Sequence, residues 1–203
     1  MTFALTTDRS KILIEQRLGE HELEQLARHS RITSIGLFNL KLADLQFLSL
    51  LPRLERLEIY GGSIGSYEAL STIPTLRQVF LNRIRALDDL SFLAGIAALE
   101  TVDLLYLSNV ESIPDLSART RLTTLRIIEC KRLIDLTALA AIPSLESLEI
   151  VASPLTPEDI EFLMAAENLP YINLFGGARQ NARTDAMLER YGKARYRPDL
   201  AES

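Results

Sequence analysis

The sequence predicts an α/β solenoid with a parallel concave β-sheet, a convex side of 3₁₀ turns and short helices, and a cap at each end. A pattern of apolar residues recurs every 22 to 24 residues along most of the chain. Within each copy the apolar spacing changes from alternation to a period of three. This change indicates a strand that is followed by tight helical turns.

The clearest copy spans residues 122–143. Its first, fourth and sixth positions are Leu122, Leu125 and Ile127. Successive side chains of a strand point to opposite faces, so Leu125 and Ile127 are expected to face inward and Arg126 outward. Later apolar residues fall at every third position, at Leu133, Leu136, Leu139 and Ile142. That spacing suits 3₁₀ turns, in which side chains at i and i+3 align.

The same pattern occurs seven times, and successive copies begin 22, 22, 23, 23, 23 and 24 residues apart. The first, fourth and sixth positions are Ile32/Ile35/Leu37, Leu54/Leu57/Ile59, Leu76/Val79/Leu81, Leu99/Val102/Leu104, Leu122/Leu125/Ile127, Leu145/Leu148/Ile150 and Leu169/Ile172/Leu174. The period lies in the range of leucine-rich repeats. Over about residues 31–176 the chain resembles that family, within it the short-repeat kind seen in internalins and in the repeat regulator of type-1 phosphatase. The resemblance implies a scaffold whose variable surface positions carry the function.

The chain departs from the family at the ninth position of the repeat, which usually holds an Asn or Cys that satisfies backbone groups of the turn. These positions hold Leu40, Gly62, Ile84, Leu107, Cys130 and Ser153. Because buried backbone groups need hydrogen-bond partners, other groups or water must take over that role.

The N-terminal segment has the atypical sequence expected of a cap that covers the first coil of a solenoid. Residues 11–15 predict a strand, and residues 20–28 predict a short helix with Leu23, Leu26 and Ala27 on one face. The run from His21 to Gln25 looks like the zinc-protease helix motif His-Glu-x-x-His, but Gln occupies the slot of the second histidine. A solvated polar helix face is therefore favoured over a metal site.

Two helices are predicted towards the C-terminal end. Thr156 offers a capping hydroxyl, Pro157 suits the first helical position, and two acidic residues follow, which predicts an α-helix over residues 157–167. Its core-facing residues are predicted to be Ile160, Phe162, Leu163 and Ala166. A capping helix is predicted over residues 184–191, followed by a loosely held tail over residues 192–203.

Length and repeat predict one domain that covers residues 1–203. Its parts are an N-terminal cap over 1–30, the repeats over 31–176, and a C-terminal cap and tail over 177–203. Residues 1–178 hold 16 Lys/Arg and 23 Asp/Glu, whereas residues 179–197 hold six and two. The acidic body argues against non-specific nucleic-acid binding. The basic residues of the C-terminal segment, which offer an alternative site for an acidic partner or nucleic acid, are Arg179, Arg183, Arg190, Lys193, Arg195 and Arg197.

Features that the sequence lacks limit the enzyme activity and the cellular compartment that we expect for the protein. No basic segment precedes an apolar stretch at the N-terminus, and no apolar run approaches the roughly 18 residues of a membrane span. The one cysteine, Cys130, cannot form an internal disulfide. We therefore expect a cytoplasmic protein without a membrane segment, which is monomeric when unbound. No nucleophile constellation, phosphate loop or metal-ligand cluster is found, so we expect no enzyme activity, no catalytic residue, no cofactor and no metal.

The outward seventh positions form an apolar column on the concave sheet: Phe38, Tyr60, Asn82, Leu105, Ile128, Val151 and Phe175. Phe80 at a fifth position and Tyr106 at an eighth widen it. Soluble monomers seldom expose a contiguous apolar patch without using it. The alternative is that these residues only stabilise neighbouring strands, or that caps cover the terminal Phe side chains.

Charges flank this column. At the fifth positions of three neighbouring strands the charge alternates in sign, through Asp103, Arg126 and Glu149. The charge also alternates at three consecutive second positions, through Glu55, Arg77 and Glu100. The leading hypothesis is a non-enzymatic module that binds a protein partner on its concave sheet. An immunity or inhibitor protein that neutralises an enzyme partner is a specific form of it. The predicted partner-binding residues are Phe38, Tyr60, Phe80, Asp103, Leu105, Tyr106, Arg126, Ile128, Val151 and Phe175.

Overall fold

The computed structural model describes the backbone of residues 3–5 and all of residues 10–195, and it shows a repeat solenoid. In chain order the strands are β1 (Phe3–Leu5), β2 (Lys11–Ile14), β3 (Ser34–Phe38), β4 (Lys41–Leu42), β5 (Arg56–Tyr60), β6 (Ser63–Ile64), β7 (Gln78–Asn82), β8 (Thr101–Leu105), β9 (Thr124–Ile128), β10 (Ser147–Val151) and β11 (Tyr171–Phe175). The main sheet has the order β1-β2-β3-β5-β7-β8-β9-β10-β11, and β4 pairs with β6 in a second, short sheet. All neighbours in the main sheet are parallel except β1 and β2. This architecture confirms the predicted fold class.

The convex side consists mainly of 3₁₀ helices, as the period of three predicts. They span Gln46–Leu50, Glu68–Thr72, Ser91–Gly95, Thr137–Ala141 and Glu158–Ile160. The α-helices are α1 (Glu20–Ala27), α2 (Glu161–Met164) and α3 (Ala178–Arg190). Among the described residues, no helix is both long enough and apolar enough to cross a membrane.

The inward positions of the repeat form one continuous core. Every residue at a first, fourth or sixth position of the seven copies is at most 1% exposed. Neighbouring strands pair these positions in the same register, so that Leu125 lies between Val102 and Leu148. The predicted register is therefore confirmed for all seven strands. Since each repeat buries its apolar face against its neighbours, the core depends on stacking rather than on any single repeat.

Short polar side chains begin the convex turns. Asp44, Asp89, Asp115 and Asp135 each accept a hydrogen bond from the backbone N–H two residues later, at 2.8 to 3.0 Å. Such Asx turns bend the chain away from extended geometry. In Asp89 and Asp135, hydrogen bonds from the following Ser or Thr hydroxyl and backbone N–H hold the pKa of the carboxyl below its ordinary value.

The eighth position of the repeat adopts a left-handed backbone conformation. Its φ is between 52° and 66° in Asn39, Gly61, Arg83, Tyr106, Glu129 and Ala152. In each case the backbone N–H donates to the carbonyl of the seventh residue of the next repeat, at 2.7 to 3.1 Å. This ladder meets backbone hydrogen-bonding needs from repeat to repeat in a chain that lacks the family's ninth-position Asn.

Cys130 fills its ninth position as a buried thiol. Its Sγ accepts a hydrogen bond from the backbone N–H of Leu107 at 3.4 Å and lies 3.4 Å from the carbonyl oxygen of Leu104. Burial raises the pKa of the thiol, and the backbone contacts only partly oppose this. A protonated, structural thiol fits these surroundings, because the nucleophilic form is the thiolate.

The helix predicted over residues 157–167 is shorter than expected. One 3₁₀ turn is followed by α2, which has only four residues. Thr156 and Asp159 still form the start of the turn, since the Thr156 hydroxyl and N–H both contact the Asp159 carboxylate at 2.7 Å. Ile160 and Leu163 are buried as predicted, but Phe162 is 40% exposed and Met164 takes an inward position instead.

The C-terminal helix is longer than predicted, and the described residues after it, 192–195, make hydrogen bonds that the predicted loose tail would lack. Helix α3 begins six residues before residue 184. Beyond it, the N–H of Ala194 donates to Pro170 and the N–H of Ile172 donates to Ala194, both at 2.9 Å. Residues 192–195 therefore cover part of the outer edge of β11, an interaction between distant segments that local sequence does not reveal. The remainder of the predicted tail, residues 196–203, lies outside the described residues.

The N-terminal region contains the predicted strand and helix. In α1 the side chain of Leu26 is buried, Leu23 is half-buried, and Ala27 is exposed, contrary to expectation. The Glu22 carboxylate accepts a hydrogen bond from the N–H of Gly19 at 3.0 Å and so helps begin the helix. Strand β1 and the short sheet of β4 and β6 were not predicted.

Leu125→Ala is expected to lower the free energy of unfolding by about 2–5 kcal/mol, because it leaves a cavity at a fully buried position. Glu149→Ala, at an outward position of the next strand, is the control and should cost under about 1 kcal/mol. Urea titration of both variants measures the difference. Equal losses would contradict the register.

Candidate partner-binding face

The concave face is formed by the third, fifth and seventh positions of the strands, and its apolar column lies along the seventh. Strand pairing brings these residues side by side in consecutive repeats. All seven side chains are half-buried, so each keeps exposed surface. The column consists of Phe38, Tyr60, Asn82, Leu105, Ile128, Val151 and Phe175.

The N-terminal half of the concave face is aromatic. The ring of Phe38 stacks on Tyr60 with centroids 4.5 Å apart and planes at 4°. The ring of Phe80 lies 5.0 Å from Tyr60 at a tilt of 41°. The three rings support one another in fixed orientations, so they present a rigid surface rather than separate mobile side chains.

The other half of the column is aliphatic. Leu105, Ile128 and Val151 lie on three adjacent strands. At the C-terminal end the column is partly covered, because the guanidinium of Arg195 lies 5.2 Å from the ring centre of Phe175. The open part of the predicted surface therefore runs from Phe38 to Val151.

Glu58 is the centre of an ion cluster beside the aromatic rings. Although it occupies an outward fifth position, it is only 3% exposed. Its carboxylate accepts hydrogen bonds from Lys11 Nζ and Arg56 Nε, both at 2.7 Å, and from the Tyr60 hydroxyl at 3.3 Å. Burial raises the pKa of this carboxyl, but Lys11 and Arg56 outweigh that effect and leave the pKa below its ordinary value.

The Glu58 cluster also acts on Tyr60. Burial, followed by the charge of Glu58 and the hydrogen bond to it, raises the pKa of the Tyr60 phenol. The hydroxyl therefore stays protonated as a donor, and the ring is held in place from both its edge and its stacked face.

Asp103 and Arg126 form a two-point ion pair on the neighbouring strands β8 and β9. Arg126 donates from Nε to Asp103 Oδ1 at 2.5 Å and from Nη2 to Oδ2 at 3.2 Å. Asp103 is 5% exposed, whereas the Arg126 side chain is 47% exposed. The sequence predicts a row of charges of alternating sign at these positions. In the structure, Arg126 instead covers a buried carboxylate. Burial lowers the pKa of the Arg126 guanidinium, but Asp103 and the nearby charge of Glu149 outweigh this and leave the pKa above its ordinary value.

Tyr106 is the most exposed aromatic residue of the predicted set. It is 41% exposed and has a φ of 53°. The guanidinium of Arg83, at the same position of the preceding repeat, lies 4.4 Å from its ring centre. This cation–π contact extends the concave face towards the carboxyl ends of the strands.

The opposite rim, at the second positions, is paired internally. Arg77 and Arg121 both donate to Glu100 Oε1, at 2.5 and 2.7 Å. These groups are partly exposed, so the contacts contribute little net stability. Of the predicted charges of alternating sign on this rim, Arg77 and Glu100 thus form an ion pair between neighbouring repeats.

The basic C-terminal segment makes internal contacts. Arg183 pairs with Glu158 and Arg190 with Glu161. Lys193 donates to the carbonyl of Ala166, and Arg195 pairs with Asp185 and donates to Asn173. These contacts attach helix α3 and the following residues to the last repeats. Arg197 lies outside the described residues.

His21, which begins the run that looks like a zinc-protease motif, contacts a glutamine of the same helix. Nε2 of Gln25 and Nε2 of His21 lie 2.9 Å apart and form a hydrogen bond on the exposed face of the helix. Within the described part of the chain, no cluster of three or more His, Cys, Asp or Glu side chains could hold a metal ion.

Three contributors to this face were not predicted from the sequence. Lys11 and Glu58 were missed because their pairing joins residues 47 apart in the chain. Arg83 was missed because an arginine in the sequence does not indicate a left-handed backbone conformation. The one available signal was Gly61 at the same position of the preceding repeat.

Comparison with known proteins shows the fold. No protein-family model matches the chain, and no curated protein matches its sequence. The crystal structure of internalin C2 from Listeria monocytogenes is similar over 87% of this chain and 77% of that one, with 19% sequence identity and a TM-score of 0.54. An internalin of the same organism, InlF, matches 85% of this chain and 63% of its own, with 21% identity and a TM-score of 0.39. The chain therefore has the leucine-rich repeat fold of the internalin C2 structure, as the sequence predicts.

Glu58→Gln is expected to destabilise the protein more at pH 7 than at pH 3. A carboxyl whose pKa is lowered on folding contributes stability above its unfolded pKa, near 4.5, and that stability is lost as the pH falls through the folded pKa. Urea titrations of the variant and the original protein at both pH values measure this. Glu24→Gln, on the exposed side of α1, controls for the loss of one charge. An equal effect at the two pH values would contradict the ion cluster.

Proposed function

We propose that the protein is a non-enzymatic binding module that holds a protein partner against its concave face. The observation that carries this proposal is the apolar column, which remains half-exposed across seven neighbouring strands. A contiguous apolar surface of this kind is usual for interaction sites and rare elsewhere on soluble monomers.

The composition of the face suits a binding hot spot. Tyr and Arg are enriched among residues that dominate binding energy, and here Tyr60 and Tyr106 lie with Arg126 around an aliphatic centre. Fully burying a large apolar side chain contributes roughly 1.5–3 kcal/mol. Several such residues together are needed to exceed the 4–15 kcal/mol that association is estimated to cost.

The face is also preorganised. Its side chains project from strands with a fixed register, and Phe38, Tyr60 and Phe80 pack on one another. Tyr60 is further held by its hydrogen bond to Glu58. Rigid side chains lose little conformational entropy on binding, so more of the contact energy appears as affinity.

Specificity would come from the ion pairs beside the column. The Arg126 guanidinium is about half-exposed while its partner Asp103 is buried. A partner that covers this pair has to supply acceptors for the remaining N–H groups of Arg126, or those groups become buried without partners. The ion pair would therefore distinguish between partners whose apolar surfaces fit the column equally well.

The basic C-terminal segment is not part of the proposal. Most of its basic side chains already have partners within the fold. Arg183, Arg190 and Arg195 form ion pairs, and Lys193 donates to a backbone carbonyl.

Replacing Tyr60, Phe80 or Ile128 singly by Ala is expected to weaken binding of a verified protein partner at least tenfold for one of the three. A tenfold loss corresponds to about 1.4 kcal/mol, less than a well-buried side chain contributes. The partner can be obtained by affinity capture and mass spectrometry, and isothermal titration calorimetry with the purified pair gives the dissociation constants.

Glu68→Lys on the convex side is the matched control and should leave binding unchanged. Thermal unfolding of each variant verifies that the fold is retained. Strong binding by all three concave variants together with loss of binding in the convex variant would refute the proposal.

A further inference from the structure

The edge of the sheet at the carboxyl ends of the strands carries an excess of positive charge. In the first six repeats the eighth to eleventh positions hold five basic residues and one acidic residue, although the chain as a whole has a net charge of −5. These residues are Lys41, Arg83, Arg85, Lys131, Arg132 and Glu129. A local positive excess therefore marks this edge, which we call the basic edge.

Three of these cations have no acidic partner. Among residues 10–195, Lys131 pairs with Glu129 and Arg132 with Glu111, while Lys41, Arg83 and Arg85 form no ion pair. All three are exposed. The opposite rim differs, because there Arg77 and Arg121 share Glu100. Lys41, Arg83 and Arg85 therefore keep their charges available to another molecule, unlike Arg77 and Arg121.

The unpaired cations are held in place by the backbone around them. The Arg85 carbonyl accepts a hydrogen bond from Asn109 Nδ2 at 2.6 Å, which ties it to the next repeat. The guanidinium of Arg83 lies over the ring of Tyr106. Lys41 belongs to β4, which pairs with β6. The charges therefore project from a fixed edge.

Three residues of this edge, Arg83, Tyr106 and Glu129, occupy a left-handed backbone conformation that disfavours them. Arg83 and Tyr106 have φ values of 55° and 53°, where Gly61 fills the equivalent position of the preceding repeat. Glycine adopts this conformation without the steric cost that other L-residues incur. The same conformation recurs at the remaining eighth positions of the first six repeats, so it is a feature of the repeat and fixes the direction in which these side chains leave the edge.

The basic edge is continuous with the apolar column. Arg83 directly follows Asn82, and Tyr106 directly follows Leu105. Consecutive repeats are separated by about 4.8 Å, so Lys41 and Arg85 lie about two repeats, or 10 Å, apart along the edge. A segment of partner chain that lies across the column would therefore meet these cations at its side.

We propose that the basic edge docks an acidic segment of the protein partner, with Lys41, Arg83 and Arg85 binding its carboxylates and Tyr106 packing against it. This inference rests on the proposed function, since it specifies the chemistry of the partner. Charge complementarity supports it. Arginine side chains bind carboxylates through two parallel hydrogen bonds, and exposed charges at the rim of an interface speed association.

The observations favour a protein over a nucleic acid as the occupant. Leu105 and Ile128 offer aliphatic surface where a single-stranded nucleic acid needs aromatic rings for base stacking.

The test uses a phage-displayed library of random dodecapeptides, selected against the full-length protein. The enriched peptides should contain more Asp and Glu than the starting library. Fluorescence anisotropy with a labelled enriched peptide should show weaker binding in 0.5 M NaCl, because salt screens exposed charges. The double variant Arg83→Glu/Arg85→Glu should bind it at least tenfold more weakly.

Matched controls separate charge at this edge from charge elsewhere. Arg28→Glu/Arg53→Glu makes the same change in net charge at exposed positions away from the edge and should leave the affinity unchanged. Arg83→Gly removes the side chain together with the backbone strain, so it should melt no lower than the original protein while it binds the peptide more weakly.

The outcomes distinguish this inference from the proposed function. If Tyr60→Ala or Ile128→Ala weakens peptide binding but Arg83→Glu/Arg85→Glu does not, the concave site stands and the basic edge is refuted. The reverse result supports the edge and refutes the concave site. Enriched peptides without an acidic excess, or a thymidine dodecanucleotide that binds more tightly than the selected peptide, would overturn the inference.

Discussion

Hydrogen bonding between consecutive repeats is the constraint on which the rest of the structure depends. Eight parallel strands share one register, and the eighth position of each of the first six repeats donates its N–H to the next repeat. In each of these six repeats the eighth position adopts a left-handed conformation. Once that conformation is set, the inward positions form a continuous core and the seventh positions fall into a column. The apolar surface is therefore a consequence of the same hydrogen bonding that forms the sheet.

The sequence predicted most of the fold because burial repeats with a regular period. Leu125 and its equivalents could be assigned to the core from spacing alone, and the seventh positions followed from strand alternation. Alternation tells which face a side chain occupies but not how deeply it is buried. Asp103 was therefore placed on the correct face but not recognised as buried, because its burial depends on Arg126 of the neighbouring strand.

Helix lengths and end contacts were less predictable for a different reason. The capping residues around Thr156 mark where a turn begins, but how far the helix continues depends on packing that its own sequence does not show. Similarly, nothing in the local sequence of Ala194 indicates that it pairs with β11. Contacts between segments that are distant in sequence decide both features.

The two edges of the main sheet bear on how such a chain can change in length. At one edge β1 is antiparallel to its neighbour, and at the other Ala194 covers part of β11. Neither edge presents the parallel register that joins interior repeats. A duplicated repeat of 22 to 24 residues would meet a matching surface on both sides only in the interior. Evolutionary growth of this solenoid is thus expected by internal duplication, which would lengthen the column while leaving both ends intact.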